Sequence, residues 1–310
     1  MIQKHPLTGE KQAFRETGGS YLSGRSRRIC TLLLFLLFSL FAFSLEWPAS
    51  EGTLASNFAS PDGGIPALGD SFTLSGAVYP SDVGKLIFVH DPDGPSSRFS
   101  SPLGSWMALD HGDNLVGIYG RYEDSRDTPV PTMIEKNTVL ATAGRSGWAG
   151  EGGFYFAFFD RSERRWINPS IIISSLEDNS PPVIRQVELR NVAGTSFNPV
   201  SIRSLPQGLY TVYVDTVDTI TAGGKTLAPN RIVCSINGVE AGALSFETLI
   251  SKNGERMVYR NGLVPAAQVY DSGGFGLGEV RFTRGQATLT IEARDIAGNS
   301  RSLSYRLTVE

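Results

Sequence analysis

The sequence predicts an all-β fold in two domains, preceded by an N-terminal export segment. Three observations predict it: the 34 glycines and 17 prolines interrupt the chain often, runs of alternating apolar and polar residues recur, and no long amphipathic helix is visible. A hydrophobic content of 41% can bury a core, which excludes a mostly disordered chain. The net charge of -3 and the lack of a long basic run beyond the N-terminus argue against nucleic acid as a partner.

Residues 1–44 have the pattern of a secretory signal peptide. An arginine cluster, Arg25–Arg28, precedes a charge-free run from 29 to 45, and small residues lie next to Ser44. We predict cleavage after Ser44, and therefore an exported protein of the periplasm or cell envelope of a bacterium. The alternative is an uncleaved anchor, because the run is close to the lower limit of about 17 residues for crossing a bilayer. Contact with a membrane is expected only through this segment.

A polar stretch at 174–182 (SSLEDNSPP) separates two β-rich halves. Its prolines and polar residues are typical of a boundary, so we predict domains at 45–176 and 177–310. The exported part contains a single cysteine, Cys234, which excludes an intrachain disulfide. Because Cys234 lies in the alternating run 231–236, we expect a buried structural thiol.

The second domain is predicted to be a β-sandwich. Residues 209–214 and 287–293 alternate with a period of two, as half-buried strands do. Asn-Gly dipeptides at Asn237, Asn253 and Asn261 tolerate the positive φ angles of tight hairpin turns. Strands and turns at this spacing favour two packed sheets.

The closing segment 285–310 resembles the last hairpin of immunoglobulin-like domains in bacterial surface proteins, with Asp295-Ile-Ala-Gly-Asn299 as its turn. The resemblance implies an immunoglobulin-like sandwich for the second domain. We favour a structural role for Asp295 and Asn299, in which their side chains bind the turn backbone. A share in a calcium site is the alternative.

The first domain carries more information about function. Its informative segments are GSWMALDHGDNLVGIYGRY (104–122), MIEKNTVLATAG (133–144), RSGWAGEGGFYFAFF (145–159) and WINP (166–169). In order and spacing they resemble the lysostaphin or LytM type of peptidoglycan zinc endopeptidases, roughly from residue 63 to residue 173. The resemblance implies a β-rich LytM-type domain descended from enzymes that cut the peptides of the cell wall.

The late catalytic motif of that family is altered here. In the family, a His-x-His pair supplies one zinc ligand and one catalytic base, and a Tyr-x-His motif supplies a further catalytic group. The first motif aligns with Phe154-Tyr155-Phe156 and the second with Tyr119-Gly120-Arg121. Two phenylalanines and one arginine therefore replace three histidines.

The early zinc motif, His-x-x-x-Asp in the family, is also incomplete. No histidine lies between residues 45 and 89. The resemblance implies that Asp70 is the carboxylate that is kept from this motif. A catalytic zinc needs about three ligands and an open position for water, and phenylalanine has no lone pair to offer. His90 and His111 are the two histidines of the exported part, and no further candidate ligand lies close to them in the sequence to complete a zinc site. We therefore predict no catalytic residue, no metal and no cofactor.

These departures predict a non-catalytic envelope protein that binds peptidoglycan or a cell-wall hydrolase as an activator or scaffold. Catalytically inactive members of the family activate cell-wall amidases, and the resemblance implies a similar partner. The candidate contact residues are Tyr119, Arg121, Trp148, Phe154 and Phe156. Arg121 suits a peptide carboxylate, and the aromatic residues suit sugar faces or apolar side chains.

Three alternatives remain open. Alternation places Phe154, Phe156 and Phe158 on one strand face, where they either line an open groove or fill the old cleft as core. Two alternatives to the binding function also remain. In one, the protein is an active zinc endopeptidase with ligands recruited from other positions, and in the other it is a purely structural module of the envelope.

Overall fold

Strands make up nearly all of the regular structure, as predicted from the sequence. The computed structural model describes residues 45–49, 51–92, 94, 100–123, 132–148, 152–174, 176–220, 224–271 and 274–310. The predicted signal peptide at 1–44 lies outside these residues. Within them, no helix has both the length and the apolar character needed to span a bilayer.

The strands before the predicted domain boundary are mostly short, and a single-turn helix follows them. They are β1 Thr53–Ser56, β2 Pro61–Asp62, β3 Ile65–Pro66, β4 Asp70–Thr73, β5 Ala77–Val78, β6 Gly84–His90, β7 Ser105–Asp110, β8 Leu115–Glu123, β9 Met133–Ile134, β10 Ala141–Ala143, β11 Phe154–Asp160, β12 Arg165–Ile167 and the helix α1 Pro169–Ile172.

The strands after the boundary are longer, and a short 3-10 turn, Ala266–Gln268, interrupts them. They are β13 Val183–Asn191, β14 Ser196–Phe197, β15 Gly208–Val217, β16 Arg231–Ile236, β17 Val239–Lys252, β18 Glu255–Arg260, β19 Leu263–Pro265, β20 Tyr270–Asp271, β21 Gly274–Phe282, β22 Gly285–Arg294 and β23 Ser300–Val309.

One large sheet runs through both halves. Its strand order is β23-β22-β16-β17-β12-β11-β8-β7-β6-β9, and β12 joins the halves by pairing with β17. A second sheet has the order β14-β13-β15-β21-β20. A shared core lies between this sheet and the part of the large sheet formed by β16, β17 and β22. The compact unit that these sheets build extends from Leu45 to Glu310.

The two hydrophobic cores each take residues from across the predicted boundary at 176/177. Phe58 and Ala59 pack into the core of the second half, and Leu227 packs into the core of the first half. The boundary itself and the immunoglobulin-like character of the second half stay predictions.

The turns and the buried thiol follow the sequence pattern. The residues of the three Asn-Gly dipeptides all have positive φ and connect β16 to β17, β17 to β18, and β18 to β19. Such turns match the twist of paired strands, which explains the tight hairpins. Cys234 in β16 is fully buried, as expected.

Candidate functional site

The hairpin of β7 and β8 positions Tyr119 and Arg121. Its turn, His111–Asn114, contains three residues with positive φ, and the strands on either side pair from Asp110↔Val116 onward. Residues 105–123 thus form two antiparallel strands joined by this turn. Strand β11 lies on the other side of β8 and pairs with β4 along its first three residues.

Arg121 is the extra residue of a β-bulge in this hairpin. On β7, Ser105 and Trp106 are consecutive, but their partners on β8 are Tyr122 and Gly120, so Arg121 has no partner across the strand pair. Its φ of 66° is in the left-handed region. A bulge changes the direction of a side chain, and here it takes Arg121 away from the face on which Tyr119 packs.

The aromatic residues of the altered motifs form a core. Tyr119, Phe154 and Phe156 have exposed fractions of 0%, 1% and 0%. The Phe156 ring lies 5.2 Å from the Tyr119 ring and 4.7 Å from that of Phe158. This packing corrects the prediction for Tyr119 and Phe156, whose side chains offer a ligand no surface, and it leaves Phe154 only 1% exposed. Arg121 and Trp148 remain as candidate contacts.

A hydrogen-bonded chain fixes Tyr119 and His111. His111 Nδ1 lies 3.0 Å from the carbonyl of Val83, which can only accept, so Nδ1 carries the proton. His111 Nε2 then accepts from the Tyr119 hydroxyl at 3.0 Å, and that hydroxyl accepts from the Ser81 N–H at 2.9 Å. Burial lowers the pKa of His111, which keeps the imidazole neutral. Both nitrogens are occupied, so His111 has no free lone pair for a metal.

Asp70 is a buried carboxylate beside this core. It pairs with Phe156 across β4 and β11, and it is 0% exposed. Its Oδ1 accepts a hydrogen bond from Phe58 N–H at 2.7 Å, whereas its Oδ2 has no hydrogen-bond partner among the described residues. Burial raises the pKa of Asp70 to about 7, because the charged form is poorly solvated there.

The guanidinium of Arg121 is partly buried, and the Asp62 carboxylate acts on it through space without forming an ion pair. It donates from Nη1 to Ser71 Oγ at 3.1 Å and lies over the Tyr155 ring, with 5.5 Å from Cζ to the centroid. Its Nε is enclosed and has no acceptor, and Arg121 forms no ion pair within the part of the chain that the structure describes. Burial lowers the pKa of Arg121 from its ordinary value, which leaves the group cationic.

A cavity of about 150 Å³ opens beside this guanidinium, and we call it the Arg121 pocket. None of its nine lining residues is acidic, and two are basic, so the pocket suits an anion. The lining residues are Ala55, Ser71, Phe72, Thr73, Arg121, Gly152, Gly153, Phe154 and Lys225. Sequence reasoning missed Ser71 and Lys225, because they lie far from Arg121 along the chain and no motif joins them.

The backbones of Trp148 and Arg121 bind neighbouring residues of the loop before β7. The N–H of Trp148 donates to Pro102 O at 3.0 Å, and the N–H of Arg121 donates to Leu103 O at 2.7 Å. The Trp148 side chain is 76% exposed, which is unusual for so large an apolar group. It is therefore available to a partner.

Comparisons with known proteins give three findings. A protein-family model matches residues 181–310. No curated protein matches the chain. Among solved structures, the chain is similar to the catalytic domain of a point mutant of the prophage-encoded M23 protein EnpA from Enterococcus faecalis, with 18% identity over 39% of this chain and 88% of that chain and a TM-score of 0.32. It is also similar to a candidate M23 peptidase from Pseudomonas aeruginosa, with 19% identity over 51% of this chain and 66% of that chain and a TM-score of 0.30.

Proposed function

We propose that the chain is a non-catalytic protein of the bacterial cell envelope that binds peptidoglycan or a cell-wall hydrolase, with an anionic group of the partner held in the Arg121 pocket. The observation that carries the proposal is the guanidinium of Arg121, which is partly buried, hydrogen-bonded only to Ser71 and not in an ion pair with any described residue, although the Asp62 carboxylate acts on it through space. A carboxylate fits this donor, because two parallel N–H groups can bind its two oxygens.

The lack of catalysis is argued from the same residues. A zinc hydrolase requires lone pairs around an open coordination position. At the positions that align with the histidines of the zinc endopeptidases, the chain has Phe154 and Phe156, which are core residues, and the cation Arg121. The export of the protein rests on the sequence pattern of residues 1–44.

Co-sedimentation of the full chain with isolated peptidoglycan tests this function, with pull-down of a cell-wall amidase as a parallel assay. We expect Arg121→Glu to weaken binding by about 10-fold or more, since a hydrogen bond to a charged group contributes about 1.5–3 kcal/mol. A short wall peptide with a free carboxylate should compete, and its amide should not. Arg301→Glu is the matched control, because Arg301 lies exposed on β23.

The proposal fails if the wild type binds neither peptidoglycan nor the amidase. The assignment to the Arg121 pocket fails if Arg121→Glu and Arg301→Glu bind equally well, or if the amidated peptide competes as strongly as the acid. A thermal melt of both variants separates lost binding from lost folding.

A further inference from the structure

Three carboxylates from separate segments meet at one point in the second half of the protein. Asp178 belongs to the segment before β13, Asp218 follows β15, and Asp295 follows β22. One carboxylate oxygen from each lies within 4.8 Å of the others. Oxygens bound to a single Ca²⁺ at about 2.3–2.6 Å are at most about 5 Å apart, so this spacing fits one ion.

Two of these carboxylates are buried, unlike those of an ordinary acidic surface patch. Asp218 is 6% exposed and Asp295 is 2% exposed. No lysine, arginine or histidine within the described ranges forms an ion pair or hydrogen bond with any of the three. Grouped buried charges without a counter-ion are costly, and the cost disappears when protons or a cation neutralise them.

Two unpartnered oxygens also point to a ligand. Asp218 accepts one hydrogen bond, from Thr219 N–H to Oδ1 at 2.9 Å, and its Oδ2 has no donor among the described residues. Asn230 Oδ1 is enclosed and has no partner there either. Asn230 lines the same cavity of about 40 Å³ as Asp178 and Asp218. A carboxylate or amide oxygen without a donor is satisfied by a hard cation.

Hydrogen bonds from Asn299 already fix the position of Asp295 relative to Asp178. Asn299 holds both oxygens of Asp295, through its N–H and its side-chain amide, each at 2.8 Å. The same amide donates to the carbonyl of Asp178 at 3.0 Å, which ties the segment before β13 to the turn after β22. Asp295 Oδ1 thus accepts from the turn backbone, as expected for a structural role, whereas the Asn299 amide binds the Asp295 carboxylate and the Asp178 carbonyl and so orients that carboxylate. The raised pKa values of Asp218, about 7, and of Asp178 have burial as their first cause and neighbouring carboxylates as a further one.

From this geometry we propose that Asp178, Asp218 and Asp295, together with the Asn230 amide oxygen, form a calcium site that ties the segment before β13 to the ends of β15 and β22. Calcium suits the site better than magnesium, because it accepts irregular geometry and longer bonds to oxygens from separate segments. The site is independent of the Arg121 pocket, which lies on other strands and is lined by cations.

Thermal unfolding of the full chain in millimolar CaCl₂, against EDTA with NaCl at matched ionic strength, tests the site. We expect calcium to raise the midpoint by about 4 °C or more, because a ligand that binds only the folded state stabilises it. Isothermal titration with CaCl₂ should give one site per chain.

Asp218→Asn separates a binding role from a structural one. Asparagine keeps the acceptor for Thr219 N–H but removes one negative charge, so the midpoint in EDTA should stay or rise while the calcium response disappears. Asp178→Asn, at a half-buried position, is a second variant with the same expectation. Asp113→Asn, on an exposed turn, is the matched control and should keep the full response.

The proposal is overturned if calcium gives the wild type no shift and no heat, or if Asp218→Asn and Asp178→Asn respond to calcium as Asp113→Asn does. It is also overturned if MgCl₂ and CaCl₂ shift all variants alike, since that would be a general salt effect.

Discussion

Asp70 and Phe156 are directly paired residues of the antiparallel strands β4 and β11. They lie far apart along the chain, and the sheet places them side by side. The pair consists of one buried carboxylate and one buried ring, so it offers a metal only one ligand residue.

Asp70 should make the stability of the protein depend on pH. Its pKa in the folded state, about 7, is above the ordinary value of 3.8, so the folded protein binds the proton more tightly than the unfolded chain. The free energy of unfolding should therefore fall as the pH rises from about 4 through 7. Asp70→Asn keeps an acceptor for Phe58 N–H and removes the charge, so we expect it to be more stable than the wild type at pH 8 by about 1–3 kcal/mol.

Urea unfolding at pH 5 and pH 8 measures this effect. Asp160→Asn is the control, because hydrogen bonds on an exposed turn lower the pKa of Asp160. Its contribution is present above its unfolded-state pKa and is lost only at more acidic pH, so it adds no slope between pH 5 and pH 8. If the wild type and Asp70→Asn lose stability in parallel between these values, Asp70 is not the titrating group.

Alanine substitution should distinguish a candidate that forms the core from one that is exposed, by the change in the free energy of unfolding. Phe156→Ala removes a fully buried ring, and we expect a loss of about 3–5 kcal/mol in the free energy of unfolding. Trp148→Ala removes a mostly exposed side chain and should change stability by less than about 0.5 kcal/mol. Chemical denaturation of both variants checks the assignment, and a large loss for Trp148→Ala would place that side chain in a packed environment.

The Tyr119 hydroxyl should contribute to stability through its two hydrogen bonds. Tyr119→Phe leaves the buried Ser81 N–H without an acceptor and His111 Nε2 without a donor. We expect a cost of about 1–3 kcal/mol, the penalty for unsatisfied buried groups. Tyr259→Phe is the control, since Tyr259 is 53% exposed. Equal free energies of unfolding for the two variants would show that these hydrogen bonds make no net contribution to stability.

Cys234 should be unreactive in the folded protein. Burial raises the pKa of its thiol to about 12, and the residue is 0% exposed, so little thiolate forms and reagents do not reach it. Alkylation followed by peptide mass mapping should label Cys234 only after denaturant is added. Labelling of Cys234 at the same rate without denaturant would contradict its burial.

The sequence predicts the local strands and turns of this protein better than it predicts which strand faces are covered and which distant residues meet. Alternation located β15 and β22, and the Asn-Gly dipeptides located the turns, because both signals arise from neighbouring residues. Alternation also grouped Phe154 with Phe156, but it does not tell what covers a strand face. The bulge at Arg121 and the meeting of Asp178, Asp218 and Asp295 depend on sheet register and on distant segments, which no local pattern encodes.

Purified peptidoglycan, incubated with the full chain and added zinc and then analysed by mass spectrometry of its muropeptides, tests whether the protein lacks hydrolytic activity. We expect the same muropeptide profile with and without the protein, because Phe154 and Phe156 supply neither a zinc ligand nor a base. New cleavage products that form with zinc and disappear with a chelator would contradict it.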